Sequence, residues 1–114
     1  MKTIQVLAKL TEDRVLMVEG KPRLFTLSNG EKELVVLHKS IITDKTSGEI
    51  TLAKGDDWTV TDYETGLAII HAYGITQNSV FAKAKRRLEK AIAEGRTIEE
   101  LHNNQYKQEK ENGV

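Results

Sequence analysis

One apolar stripe does most to limit what this chain can fold into. From Thr76 onward, Val80, Phe81, Ala84, Leu88, Ala91 and Ile92 recur at helical spacing. They line a single face of an amphipathic helix. Thr76, following Gly74-Ile75, is a good N-cap, and Gly95 has the residue type that ends helices at C′. The spacing therefore predicts one helix near residues 76–94. A helix apolar on one side must bury that side against another layer.

The residues before it read as strands. "TIQVLAKL" places Ile4, Leu7 and Leu10 among β-branched and aliphatic neighbours, with imperfect alternation. "RVLMVEGKPRLFTL" holds two apolar runs around Glu19-Gly20-Lys21-Pro22, which is hairpin chemistry. Leu24, Thr26 and Ser28 then face one side, Phe25 and Leu27 the other. Asn29-Gly30 is the strongest short hairpin signal. "ELVVLHKSIIT" is a further strand, and Ser47-Gly48 turns the chain into Glu49-Ile50-Thr51-Leu52. Short Gly-containing turns between such runs predict an antiparallel meander over residues 3–73. The expected class is α+β: an antiparallel β-sheet meander with one amphipathic helix on one face and a short C-terminal helix. Thr97 and Glu100 form the capping box that opens the second helix. Residues 1–104 make a single domain, and 105–114 a flexible C-terminal tail of low apolar content.

Residues 62–73 admit two conformations. As a hairpin, Trp58 and Val60 point inward, "DYETG" turns, and Leu67, Ile69, His71 and Tyr73 alternate with Ala68, Ile70 and Ala72. As a helix, Thr61 and Glu64 form a capping box, and Tyr63, Leu67 and Ile70 share a face. Gly66 within that helix would cost roughly 1 kcal/mol relative to Ala.

Composition narrows the function classes. The 114 residues suffice for one modest core. The 17 basic residues balance the 17 acidic ones, whereas a dedicated nucleic-acid binder is usually basic overall. There is no cysteine, which excludes disulfides, thiolate metal sites and cysteine catalysis. No apolar run approaches the roughly 20 residues of a membrane span, and "MKTIQVLAKL" lacks the features of a signal peptide. The expected location is the cytoplasm, with no membrane partner. With one Trp, two Phe and three Tyr, the core is mostly aliphatic.

Catalytic patterns are missing from the sequence. His38, His71 and His102 stand far apart, and no phosphate-binding glycine loop or nucleophile elbow occurs. Asp56, Asp57 and Asp62 lack the density of a calcium loop and read as turn and capping groups. No enzymatic activity, cofactor or metal is expected. The chemistry that remains lies on the helix. At about 100° per residue, Lys83, Arg86, Arg87 and Lys90 gather along one flank of the stripe. Such a flank can grip phosphates; it can equally be solvated, its stems covering the edge of the core.

Two resemblances follow from these residues. "GITQNSVFAKAKRR" resembles the helix-turn-helix of sigma-factor-like proteins, with Gly74 as the turn residue, Ile75 buried after it and Val80 in the core. That resemblance implies a DNA-binding transcriptional regulator with the motif at residues 62–94. Gln77, Asn78, Ser79 and Ala82 would then face the major groove. Ile70 stands where that motif carries a small alanine. The second resemblance rests on Trp58, Val60-Thr61-Asp62, Thr65-Gly66, the short apolar strand Leu67 to Ile70, Gly74-Ile75-Thr76, and the small residues Ala84 and Ala91. This W-x-V-T-D-x-x-T-G hairpin with a capped helix resembles small accessory proteins of bacterial phages and mobile elements. It covers about a third of the chain. It implies a non-enzymatic interaction protein that binds a macromolecular partner, an inhibitor of a host factor being one form. The expected partner is a protein, with nucleic acid as the alternative. The candidate contact residues are Lys83, Arg86, Arg87, Lys90, Gln77 and Asn78. An open-edged sheet in so small a chain also makes a homodimer a candidate assembly.

Overall fold

The computed structural model describes residues 2–11, 14–44, 46–97 and 100. Seven strands and one helix follow in order: β1 (Ile4–Thr11), β2 (Arg14–Thr26), β3 (Lys32–Lys39), β4 (Ile41–Thr43), β5 (Ile50–Leu52), β6 (Asp57–Asp62), β7 (Ala68–Tyr73) and α1 (Gln77–Ala93). Five strands form one sheet in the order β1-β2-β3-β6-β7, and β4 and β5 make a separate two-stranded pair. All pairings are antiparallel. The class is α+β, a meander with one main helix on it.

β3 explains how the layers stack. Val35, Val36, Leu37 and His38 are all buried, an unbroken run that only a strand covered on both faces carries. Val35 and Leu37 join Phe25, Leu27, Val60 and Ile69 against Val80, Phe81, Ala84, Leu88 and Ala91 of α1. Val36 faces the other way, into a smaller cluster with Val6, Ala8 and Val18 of the β1–β2 hairpin. The hairpin therefore curls over the back of the sheet while α1 covers its front.

β2 makes this possible by being long. Its first half pairs with β1, from Thr11↔Arg14 to Ile4↔Gly20. Its second half pairs with β3, from Lys21↔Leu37 to Thr26↔Lys32. The turn expected at Glu19–Pro22 is thus not a turn; the chain reverses between Thr11 and Arg14. Gly20 is there for closeness: a Cβ would lie 2.2 Å from the Leu37 carbonyl oxygen. Pro22 follows where β1 has ended, so it sits on a strand edge, where a missing N–H is tolerated.

Residues 62–73 are the hairpin, not a helix. β6 pairs with β7 from Asp57↔Tyr73 to Thr61↔Ala68, with an irregularity between Val60 and Thr61. The strict alternation expected of β7 breaks there. Ile69 is fully buried, and Ile70 packs against the same core. Gly66, with φ +74°, turns the chain, and a Cβ on it would meet the Leu7 carbonyl oxygen at 2.2 Å.

α1 is capped at both ends. Thr76 Oγ1 accepts the Ser79 N–H at 3.2 Å. Beyond Glu94, Gly95 adopts φ +71°; its N–H donates to Ile92 O and the Arg96 N–H to Ala91 O, the paired bonds of a Schellman end. Of the expected C-terminal helix, the described part is Thr97 and Glu100, where the Glu100 N–H donates to Thr97 Oγ1 at 3.2 Å; the remainder, like the 105–114 tail, lies outside the described residues. Among the described residues no helix is long and apolar enough to cross a membrane.

Candidate functional site

The residues read from the sequence as contacts are split by the fold. Gln77 and Asn78 open α1 and face β2. Gln77 Oε1 accepts from Lys21 Nζ at 2.6 Å, and Asn78 Oδ1 from an Arg23 guanidinium N–H at 3.3 Å. Arg23 itself lies 4.0 Å over the Phe81 ring. These two side chains pin the start of the helix to the sheet. Lys83, Arg86 and Lys90 are exposed, while Arg87 is half-buried, its Nε shielded from water without a hydrogen-bond partner among the described residues. The helix-turn-helix at 62–94 is not formed. Its first helix would occupy residues that are the end of β6, a turn and β7, and its reading side chains Gln77 and Asn78 already bind β2.

A second group was not singled out in the sequence. Leu7 and Met17 face each other across β1 and β2, as do Lys9 and Val15. They point away from the small hairpin core, so their side of the hairpin is bare. Leu7 is 52% exposed, Val15 56% and Met17 49%, and Tyr63 of the β6–β7 turn is 46% exposed. Together with Gln5, Lys9 and the turn residues Glu64 to Gly66 they line one open groove of about 520 Å³. The turn is held against β1 by the Lys9 N–H, which donates to Gly66 O at 2.8 Å. The signal lay in the imperfect alternation: "VLA" and "VLMV" place apolar residues on both faces of the hairpin.

The turn that walls the groove is built on Asp62, which is 1% exposed. Asp62 Oδ2 accepts the Thr65 N–H at 2.8 Å and the Thr65 hydroxyl at 2.7 Å. The Asp62 N–H donates to Leu67 O, its carbonyl accepts the Gly66 N–H, and the Tyr63 N–H donates to Leu34 O. Asp62 Oδ1 is buried with no hydrogen-bond partner among the described residues. Glu33 of β3 is the acid that feels Asp62 most. Burial, then its bond to Asp62, then the charges of Asp62, Glu64 and Glu31 push its carboxyl up to about 8.

The back of the sheet carries a polar ladder. His38 Nδ1 faces the Lys39 carbonyl at 2.8 Å, so that nitrogen carries the hydrogen; Nε2 then accepts from the Thr61 hydroxyl at 2.7 Å. Burial lowers the His38 pKa and keeps the ring neutral. A hydroxyl bonded to imidazole has the layout of a nucleophile and its base. With Thr61 1% and His38 2% exposed, however, no substrate reaches the pair, and its work is structural. Ser40 Oγ and Thr59 Oγ1 lie 2.8 Å apart, and Asp57 pairs with His71. Burial raises the Asp57 carboxyl, but bonds from Ser40 and His71 and the nearby charges outweigh it and leave the group below its ordinary value. Among the described residues no three acidic or histidine side chains converge to hold a metal ion. Comparison with models of known families, with curated proteins and with solved structures returns no match.

Proposed function

We propose that this chain is a non-enzymatic interaction protein that binds a protein partner through the outer face of its β1–β2 hairpin. The observation that carries this reading is the contiguity of Leu7, Val15, Met17 and Tyr63, each about half exposed along one groove. Single exposed aliphatics are ordinary, whereas a joined patch framed by polar groups marks an interaction surface. Lys9 and Glu64 frame this one. The fitting occupant is an apolar segment of another protein with polar groups at its margins. The W-x-V-T-D-x-x-T-G hairpin resemblance supports a phage or mobile-element origin, with inhibition of a host factor as one form of the activity. The Lys83, Arg86 and Lys90 row is secondary in this reading, because Gln77 and Asn78 are committed to β2.

The test is retention of a protein from the native host by the purified chain, compared with Leu7→Asp/Met17→Asp and with Arg86→Ala/Lys90→Ala. A partner kept by wild type and by the helix variant, and lost by the hairpin variant at unchanged circular dichroism, supports the reading. Loss in the helix variant alone would move the interface to α1. Light scattering on the same proteins separates a foreign partner from a second copy. A dimer that dissociates in the hairpin variant assigns the face to self-association.

A further inference from the structure

We propose that the open edge of β7, flanked by Lys83, Arg87 and Lys90 of α1, takes an added strand: an extended segment of a partner protein with acidic side chains at alternate positions. This surface is distinct from the hairpin groove, since β1 and β7 stand at opposite ends of the strand order, and it stands whether or not that groove is occupied.

β7 has β6 on one side, and among the described residues no strand pairs with the other. Hydrogen bonds fix which backbone groups face outward. The Asp57 carbonyl accepts the Ser40 N–H on one side of β6, and the Asp56 carbonyl accepts the Gly74 N–H on the other. Backbone groups alternate sides along a strand, so Trp58 and Val60 turn toward β7 and meet their register partners Ala72 and Ile70. The N–H and C=O groups of His71 and Tyr73 therefore point out of the sheet. Natural edges are blunted by charged side chains, proline or a bulge. β1, the other edge, carries Lys9, whose N–H is taken by Gly66 O. β7 reads AIIHAY, with no Lys, Arg, Asp, Glu or Pro. Its irregularity lies toward Ala68, leaving Ile70 to Tyr73 in regular register.

α1 decides what kind of strand fits. One of its flanks meets β2 through Gln77 and Asn78, and the connection after β2 through Glu89, which accepts the Ser28 N–H. Those partners, Lys21, Arg23 and Ser28, run in chain order, so α1 lies along β2 and antiparallel to β7. At about 100° per residue, Lys83, Arg87 and Lys90 fall on the opposite flank, the β7 side. Lys83 and Lys90 are exposed and Arg87 half-buried; Glu94, the acid of that flank, pairs with Arg96. Lys83 and Arg87 are about 6 Å apart along the helix axis, and alternate residues of a strand about 6.7 Å. Ile70 and Ala72 face the core beneath α1, so side chains of the added strand level with them face these cations. The intervening ones lie on the back face beside Tyr73, 75% exposed. Backbone bonds then supply the grip and alternate side chains the selectivity. A second copy fits worse, because β7 paired with its twin sets both helices on one face with their cations opposed. A nucleic acid also fits worse, because its phosphates accept but do not donate, leaving the His71 and Tyr73 carbonyls unmet.

The probe is a capped peptide of alternating glutamate and valine, titrated into the whole chain while two-dimensional amide spectra are recorded. The His71 and Tyr73 amides are expected to shift and to gain protection from hydrogen exchange, with binding that weakens as salt rises. Lys83→Glu/Lys90→Glu is expected to lower the affinity by roughly tenfold and to prefer the matching lysine–valine peptide. Tyr73→Pro removes an outward N–H that serves no bond within the sheet, and is expected to weaken binding at unchanged circular dichroism. Equal binding of the glutamate and lysine peptides by wild type, or unchanged His71 and Tyr73 amides at millimolar peptide, would overturn the proposal. So would shifts confined to Leu7 and Met17, which seat the peptide in the hairpin groove. Protection of the His71 and Tyr73 amides that grows with the concentration of the protein alone would overturn it too, by making the occupant a second copy.

Discussion

At the scale of single residues, close approach and hydrogen-bond completeness matter more than residue class. Gly20 and Gly66 each hold two backbones closer than a side chain permits, with a Cβ falling 2.2 Å from a carbonyl oxygen in both cases. Gly30 has φ +86° with open space around it. Gly30→Ala should therefore cost about 1–2 kcal/mol, the left-handed backbone alone. Gly20→Ala has no such backbone penalty but forces β2 from β3, and should cost about 1–3 kcal/mol or more. Gly66→Ala combines both effects and should be the worst of the three. Urea denaturation of the three variants ranks them, and a Gly20→Ala protein as stable as wild type would refute the close approach. The His38–Thr61 pair is governed by satisfaction. Thr61→Val keeps the shape but leaves His38 Nε2 without its donor, for an expected loss of about 1–3 kcal/mol. His38 also ties stability to pH. Its folded pKa lies below the ordinary 6.5, so the stability it lends is full above that value and is lost as pH falls. Urea midpoints at pH 7 and pH 5 should differ less in His38→Gln than in wild type.

Among the elements, α1 is the one whose sequence and structure agree most closely, because every signal for it is local. Thr76, the apolar stripe and Gly95 lie within one stretch, and each does in the fold what its chemistry implies. Leu88→Ala should cost about 2–5 kcal/mol, since Leu88 is 3% exposed in the main core. Lys83→Ala, Arg86→Ala and Lys90→Ala should each stay within about 0.5 kcal/mol of wild type. Thermal melts of these four variants check the contrast, and a large effect at Lys83 would show that its side chain is bound rather than solvated. The same flank should bind duplex DNA no better in wild type than in Arg86→Ala/Lys90→Ala at physiological salt, as read by fluorescence anisotropy. The strands were less legible, for a physical reason. Gly20-Lys21-Pro22 has the composition of a turn, yet Gly20 serves a contact with β3, distant in sequence, and Pro22 an edge created by the end of β1. Neither partner is written in the local pattern. The groove was hidden in the same way. Apolar residues on both faces of the hairpin mark two surfaces to cover, but only the curl over Val36 tells which face is core and which is bare.

On the scale of the whole molecule, β3 divides the interior into two cores of unequal size. The front core joins eleven buried side chains from four strands, the β2–β3 connection and α1. The back core holds four, Val6, Ala8, Val18 and Val36. Opening the back core exposes much less apolar surface, and at roughly 25 cal/mol per Å² its hairpin should come away at a smaller free energy than the whole fold. Cooperative units of that kind appear as separate classes in native-state hydrogen exchange. The amides of β1 that bond to β2 should therefore exchange through a sub-global opening, while those joining β3 to β6 should exchange only through global unfolding. Adjacent residues of one strand test this without changing the strand. Val36→Ala removes a contact of the back core, so it should speed β1 exchange while lowering global stability only to the extent that the two cores are coupled. Leu37→Ala removes one from the front core and should lower the protection of β3 and β6. Because global unfolding also frees the hairpin, β1 amides should respond to Leu37→Ala only once the global route becomes the easier one. If both variants shifted every protected amide by the same amount, the two cores would be one cooperative unit. The bare outer face of the hairpin would then be fixed as rigidly as the sheet beneath it. If the hairpin opens first, its outer face sits on the most mobile part of the fold, and a partner gripping Leu7 and Met17 would raise β1 protection above that of the free protein.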